Sequence, residues 1–212
     1  MILIPYPQKL VQKTGAFHIS KDVSILLDIS CGYDDFDTAL VLKQEINKMT
    51  GFSPSITKGC SEHMRNNDGP NNRLIILKNA DIDPKSQAYK LSIRERSIEI
   101  AGESASGLFF GIQTLRQIFR NHTAALPCLE IDDYPAFEKR GFYHDVTRGR
   151  VPTLETLKEL ADRLSFYKIN QLQLYIEHSF AFRKHSEIWV DSDPITAEEI
   201  LVLDEYCRKR RI

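Results

Sequence analysis

The chain has 212 residues, with 28 Lys and Arg against 29 Asp and Glu and a formal net charge of −1. It is long enough to bury one large core or two small ones, and its even charge gives no support to nucleic acid or an anionic membrane as partner. No stretch approaches the length of a membrane span, and the opening Met1–Gln8 lacks the charged and long apolar parts of a signal peptide, which implies a cytoplasmic chain if this N-terminus is native. Cys31, Cys60, Cys128 and Cys207 show no C-x-x-C spacing, so free thiols in a reducing compartment are expected rather than a metal site.

In chain order, V-S-I-L-L-D (Val23–Asp28) and L-I-I-L (Leu74–Leu77) read as strands between polar, Gly- or Asn-rich stretches. Between them, Asp37 to Met49 places Ala39, Leu42, Ile46 and Met49 on one helical face, with Gly51 as the stop. Ser61 to Asn72 reads as a polar loop. Tyr89–Ile93 and Ser97–Ala101 read as a hairpin, and Ser104 caps a helix running to about Arg120 with Leu108, Ile112, Leu115 and Phe119 inward. Gly107 and Gly111 in that helix suggest a tight approach to a sheet.

Pro127 to Pro135 reads as a connector, with the domain boundary about there. Beyond it the rhythm becomes β-α-β-α: strand Gly141–Asp145, a helix from Thr153 to about Tyr167 with Leu157, Leu160, Ala161 and Leu164 on one face, strand Gln171–Ile176, and a helix opened by the capping box Thr196-Ala-Glu-Glu199 with Ile200, Leu203 and Cys207 inward. The basic run Arg208–Arg211 falls in that helix's last turn, where cations suit the dipole. Two strands and two helices cannot cover a parallel sheet and leave its edges open. The second part therefore either packs on the first or begins a larger barrel.

Several motifs then point one way. I-P-Y-P-Q at the start, Gly15-Ala-Phe17, Y-K-L-S-I from Tyr89, S-G-L-F-F-G-I-Q-T-L-R-Q from Ser106, D-D-Y-P-A-F-E-K-R-G from Asp132, D-V-T-R from Asp145 and F-Y-K-I-N from Phe166 occur in an order that resembles the family 20 glycoside hydrolases, the β-N-acetylhexosaminidases. The resemblance implies an α/β chain: an α+β N-terminal module over residues 1–127, then the first two βα units of an incomplete (β/α)8 TIM barrel over 128–212. It implies removal of terminal β-linked N-acetylhexosamine from glycans or glycoconjugates, without metal or organic cofactor. In the family the acetamido oxygen of the substrate attacks its own anomeric carbon, while a glutamic acid protonates the leaving oxygen and a neighbouring aspartate orients the acetamido group. That Asp-Glu pair follows the fourth barrel strand, so this chain is expected to be a piece of a longer hydrolase and inactive alone.

Arg148 matches the family's arginine at the end of the first barrel strand, which holds hydroxyls of the non-reducing sugar. A guanidinium fork suits vicinal hydroxyls, and strand C-termini form the active face of such barrels. Taken without the resemblance, Arg148 reads as a solvated loop arginine or a partner for Asp145. Asp145 is expected in support of Arg148, and His144, on the other side of the strand, as structural. Many family members carry His-x-x-Asp where this chain has Tyr175 and His178 with Glu177 beside them; Glu177 and His178 are expected to line the cleft, His178 equally as a hydrogen-bonded loop histidine. Phe180, Phe182 and Trp189 read as loop packing before sugar platforms, and Asp132 and Asp133, on extended backbone, as pointing opposite ways. The rival readings are a neighbouring-family N-acetylglucosaminidase, such as family 84, and a non-catalytic carbohydrate-binding or scaffolding protein. An open barrel edge would expose apolar surface and drive self-association. Sedimentation velocity should show concentration-dependent oligomers, and a clean monomer at high concentration would remove this expectation.

Overall fold

The two apolar runs read as strands lie side by side in a sheet, because parallel strands buried on both faces need continuous rather than alternating apolar sequence. The computed structural model describes residues 1–63, 73–83, 85, 87–122 and 125–212. Its residues gather in two units, Met1–Glu138 and Lys139–Ile212, and the chain is of the mixed α/β kind.

Among the described residues of the first unit, strands β1 (Lys9–His18), β2 (Val23–Asp28), β3 (Ile56–Gly59), β4 (Arg73–Asn79), β5 (Tyr89–Ile93), β6 (Ser97–Gly102) and β7 (Ala125–Asp133) form one sheet in the order β1-β7-β5-β6-β4-β2-β3. The pairings β3-β2, β2-β4 and β4-β6 are parallel, and β6-β5, β5-β7 and β7-β1 antiparallel. Leu26, Leu74 and Ile76 are buried on one face of the parallel part, and Ile25, Leu27, Ile75 and Leu77 join the main core on the other.

Helices α1 (Asp34–Thr50) and α2 (Ala105–Asn121) contribute to that main core. Ala39, Leu42 and Ile46 of α1 are fully buried, and Gly51 closes the helix at φ 78°, a left-handed turn that glycine adopts without strain. In α2 the Ser104 side chain accepts from the Gly107 amide, and Leu108, Ile112, Leu115 and Phe119 are buried as expected. The two glycines mark the tight approach. A Cβ on Gly107 would lie 2.2 Å from the Ala88 carbonyl oxygen, and one on Gly111 would lie 2.5 Å from Cγ2 of Ile100. Buried Glu45 ties the helices, with oxygens 2.8 Å from Arg116 and 3.1 Å from Arg120.

Several expectations change. The connector expected over Pro127–Pro135 is largely strand β7, whose Leu126, Cys128, Leu129 and Ile131 are buried. Pro127 is tolerated because it lies opposite Ala16 of β1, beside the irregularity between Gln12 and Ala16, and beyond the stretch that pairs with β5. The units accordingly divide at Glu138/Lys139, not at residue 127. Asp132 and Asp133 point opposite ways: Asp132 reaches Lys9 at 3.9 Å, whereas Asp133 accepts from the Gln8 amide and the Tyr89 hydroxyl. Of the polar loop expected over 61–72, Ser61–His63 form a helical turn and the remainder lies outside the described residues.

In the second unit β8 (Gly141–Asp145) and β9 (Gln171–Tyr175) pair in parallel and in register, Gly141 opposite Gln171 and Asp145 opposite Tyr175. Helix α3 (Leu154–Phe166), capped by the Thr153 side chain, connects them. A short helix α4 (Ser186–Trp189) follows, and α5 (Ala197–Arg208) begins with the Thr196/Glu199 capping box. Val146, Leu157, Ala161, Ile195, Leu203 and Cys207 form the core. Leu172 and Leu174 are only half-buried, beside an open groove of about 670 Å³ also lined by Phe142, Ile200 and Leu203. Among the described residues no helix is long and apolar enough to cross a membrane.

Asp28, the last residue of β2, accepts the amides of Ser30 and Ser61, each at 2.9 Å. Burial pushes its carboxyl up, but these hydrogen bonds outweigh burial and hold it well below the ordinary carboxylate range. A depressed folded-state pKa gives stability that is complete above the unfolded value of about 4 and fades as pH falls towards the folded value. Asp28→Asn should therefore lower stability at neutral pH by about 1–2 kcal/mol and flatten the acid limb of the stability profile. Urea titrations across that range check this; parallel profiles for the two proteins would disprove the role.

Candidate functional site

Where β8 ends, the chain turns outward and its next amides lose their ladder partners. Asp145 supplies an acceptor: its Oδ1 takes the amides of Thr147 at 2.9 Å and Arg148 at 3.1 Å. Its Oδ2 takes Nη1 of Arg148 at 2.7 Å. These bonds, the Thr147 amide first and the Arg148 side chain next, hold the Asp145 carboxyl below its usual range. Gly149 follows at φ 92°, the left-handed conformation that lets the chain turn away after Arg148.

The in-register pairing places the end of β9 alongside. Tyr175 and Glu177 lie two residues apart as the strand runs out, so their side chains point the same way. The Tyr175 hydroxyl donates to Oε1 of Glu177 at 2.5 Å, and Nη2 of Arg148 reaches the same oxygen at 3.2 Å. The bond to Glu177 raises the Tyr175 phenol above its ordinary value. The guanidinium also lies 5.1 Å from the centre of the Tyr175 ring, within cation–π range. Beneath this, Thr147 ties the two strand ends together. Its buried hydroxyl accepts the Glu177 amide at 2.9 Å, contacts Ser179 Oγ at 3.2 Å and donates to the Tyr175 carbonyl at 3.2 Å.

Arg148 is thus aimed without being buried: its side chain is 66% exposed. Both oxygens of Asp145 are engaged, whereas Oε2 of Glu177 has no partner among the described residues. The rim offers guanidinium N–H donors beside a carboxylate acceptor, a pattern that fits neighbouring hydroxyls.

Of the residues read as site candidates, Arg148, Asp145 and Glu177 come together. The His178 carbonyl accepts from Ser192 Oγ at 3.3 Å, and among the described residues its imidazole has no hydrogen bond to the cluster. His144 lies beside Phe142 with ring centres 6.1 Å apart. Phe180 and Phe182 pack edge-on at 4.9 Å, and the Trp189 indole donates to the Phe182 carbonyl. Tyr175 and Thr147, both within motifs quoted from the sequence, were not among the residues read as site candidates. The two-residue spacing of Tyr175 and Glu177 was the available signal for the first.

A family model described as "Glycosyl hydrolase family 20, domain 2" matches residues 1–134. A beta-hexosaminidase of Porphyromonas gingivalis is 26% identical over 190 residues, covering 85% of this chain and 23% of that protein. A beta-N-acetylhexosaminidase of Cellulomonas fimi is 32% identical over 108 residues, 50% of this chain and 22% of that protein. Among solved structures, a chitobiase of Flavobacterium johnsoniae superposes with a TM-score of 0.78 at 26% identity, over 99% of this chain and 33% of that one. A β-N-acetylhexosaminidase of Streptomyces coelicolor gives 0.80 at 19% identity, over 98% and 44%, which speaks to the fold alone. The chain spans about a quarter of the length of these sequence relatives.

Replacing Glu177 by Gln removes the charge that opposes loss of the Tyr175 proton. The Tyr175 phenol should then titrate at lower pH, as followed by NMR of ring-labelled tyrosine. An unmoved midpoint would mean that the Tyr175–Glu177 contact does not persist in solution.

Proposed function

The chain belongs to glycosyl hydrolase family 20, and on that premise we propose that it forms the N-terminal part of a β-N-acetylhexosaminidase. In this reading its second unit opens a (β/α)8 barrel, and the ends of β8 and β9 carry part of the sugar-binding rim. The observation that supports it most is the guanidinium of Arg148, held between Asp145 and Glu177 at the carboxyl ends of two parallel strands. Such strand ends form the reactive face of barrels of this kind.

Each group has a role in this reading. Arg148 donates to hydroxyls of the terminal sugar. Glu177, through its open oxygen, accepts a hydroxyl proton. Asp145, with both oxygens occupied, fixes the direction of the guanidinium. Tyr175 and Thr147 hold Glu177 from its side chain and its backbone. The substrate class is a glycan or glycoconjugate ending in β-linked N-acetylhexosamine. The bond is broken by the substrate's own acetamido oxygen, with the acid supplied by residues of the later barrel strands. The rim contributes position, which lowers the barrier by holding the sugar ring where that oxygen reaches the anomeric carbon.

The test uses the enzyme that contains these residues. Arg148→Ala should reduce kcat/KM for an aryl N-acetyl-β-glucosaminide by on the order of a hundredfold or more, the loss of two charge-assisted hydrogen bonds. Arg148→Lys should recover only part, because a point charge cannot reproduce the fork. Glu177→Gln should cost less than Arg148→Ala. Kinetics that Arg148→Ala leaves unchanged would end this reading of the rim.

A further inference from the structure

Among the described residues, the buried acids of the first unit have donors on both oxygens, with one exception. Glu45 meets Arg116 on one oxygen and Arg120 on the other. Asp28 takes the Ser30 amide on one and the Ser61 amide on the other. Asp133 takes the Gln8 amide and the Tyr89 hydroxyl. Asp35, only 1% exposed, departs from this pattern. Its Oδ2 accepts the Gly32 amide and Nδ2 of Asn79, each at 2.8 Å, whereas its Oδ1 is buried with no hydrogen-bond partner.

The fold brings Asp35 to a junction. β2 ends at Asp28 and its parallel neighbour β4 at Asn79. From β2 the chain runs through α1 to β3 on one side, and from β4 it runs to β5 on the other. Where such connections part, an open parallel sheet has the crevice in which ligands are held. Asp35 stands there in the first turn of α1, and Asn79 is fastened by its backbone amide, which donates to Ser30 Oγ at 3.1 Å. Oδ1 of Asn79, on the same amide group that meets Asp35, is also buried without a partner. So is the hydroxyl of Thr38, a fully buried residue three positions beyond Asp35 and therefore on the same helix face. A carboxylate, an amide and a hydroxyl oxygen thus all lack a donor.

The charge makes this more than a matter of hydrogen bonds. A buried carboxylate is ordinarily paired or bound to a cation, because an isolated charge in the interior is costly. Two N–H groups and the start of α1 offset part of the Asp35 charge and leave Oδ1 unserved. Lys58, on neighbouring β3, gives its ammonium to the Cys31 carbonyl at 2.8 Å. The negative field reaches Cys31, whose thiol is pushed up to about 12 by burial first and then by Asp35 and Asp28. The described residues hold no group of three or more His, Cys, Asp or Glu side chains arranged for a metal ion, so these donors do not make a transition-metal centre. They are hard oxygens, and their single carboxylate balances a single positive charge.

We propose that Asp35 Oδ1, Asn79 Oδ1 and the Thr38 hydroxyl form a structural site for one monovalent alkali cation at the carboxyl ends of β2 and β4. The cation neutralises Asp35 and ties the start of α1 to the end of β4, and water supplies the rest of its shell.

Unfolding of the intact chain in potassium, sodium or tetramethylammonium chloride at one ionic strength tests this, since tetramethylammonium is too large to enter. The thermal midpoint should stand higher in an alkali chloride by on the order of 3 °C, and it should climb with the alkali fraction at constant total salt. Amide exchange over residues 29–35 should slow in the same salts. Asp35→Asn should bring the midpoints in all three salts together. Thr38→Val, nearly isosteric, should need on the order of tenfold more alkali ion for the same shift. Should Asp35→Asn fail to fold, the salt comparison on the unaltered chain decides alone. Equal midpoints and equal exchange in the three salts overturn the proposal, and so does a salt dependence that survives Asp35→Asn. A crystal grown with thallium(I) should show the heavy ion against Asp35 and Asn79; a water alone in that place overturns it as well.

Discussion

Whenever the chain leaves a sheet its next backbone amides lose their ladder partners, and something must accept from them or the end of the strand stays unsettled. This chain answers with a carboxylate at or just past the strand end, in both units. Asp28 closes β2 by taking the amides of Ser30 and Ser61. Glu103, one residue past β6, takes those of Ile82 and Asp83. Asp133 at the end of β7 takes that of Gln8. Asp145 at the end of β8 takes those of Thr147 and Arg148. Of the segments held in this way, the one tied by Asp145 carries the rim.

A carboxylate at a strand end is therefore no sign of chemistry by itself. Asp28 and Asp133 are buried, and their acceptors are turned to structural donors. Asp145 is distinguished by what its second oxygen does, which is to hold an exposed guanidinium that Glu177 also reaches. The parallel register makes this possible. Asp145 lies opposite Tyr175, so a residue just beyond one strand end meets a residue just beyond the other. An antiparallel pair would have sent the two ends to opposite edges of the sheet.

Elements with a strong apolar signal were legible in the sequence. β2, β4, the β5–β6 hairpin and the inward faces of α2 and α3 follow directly from their apolar positions. β1 was not legible, since most of its side chains are exposed at a sheet edge and its pairing is broken near Gly15. β7 was hidden by Pro127 within it and Pro135 just beyond it, and only its position between β1 and β5 shows why Pro127 fits. Of the rim, Arg148, Asp145 and Glu177 were named through a family resemblance; their residue types alone would have passed for a solvated loop. The part played by Thr147 depends on a hydroxyl reaching across two strand ends, which no local spacing reveals.

The energetics of the rim bear on what it is for. Exposed ion pairs contribute little to folding, because water competes for both partners and long side chains lose rotamer freedom when held. Arg148 is two-thirds exposed and Glu177 nearly half, so the cluster is a poor device for stability. Yet it fixes a flexible arginine with two carboxylates, a phenol and a ring face, and it fixes Glu177 from both ends. Such order has value where a ligand would otherwise have to impose it on binding. In the proposed reading, a guanidinium already aimed loses less freedom when it meets the hydroxyls of a sugar. The same argument separates the two acids: one is consumed in orienting the cation, and the other keeps an oxygen open towards the space in front of it.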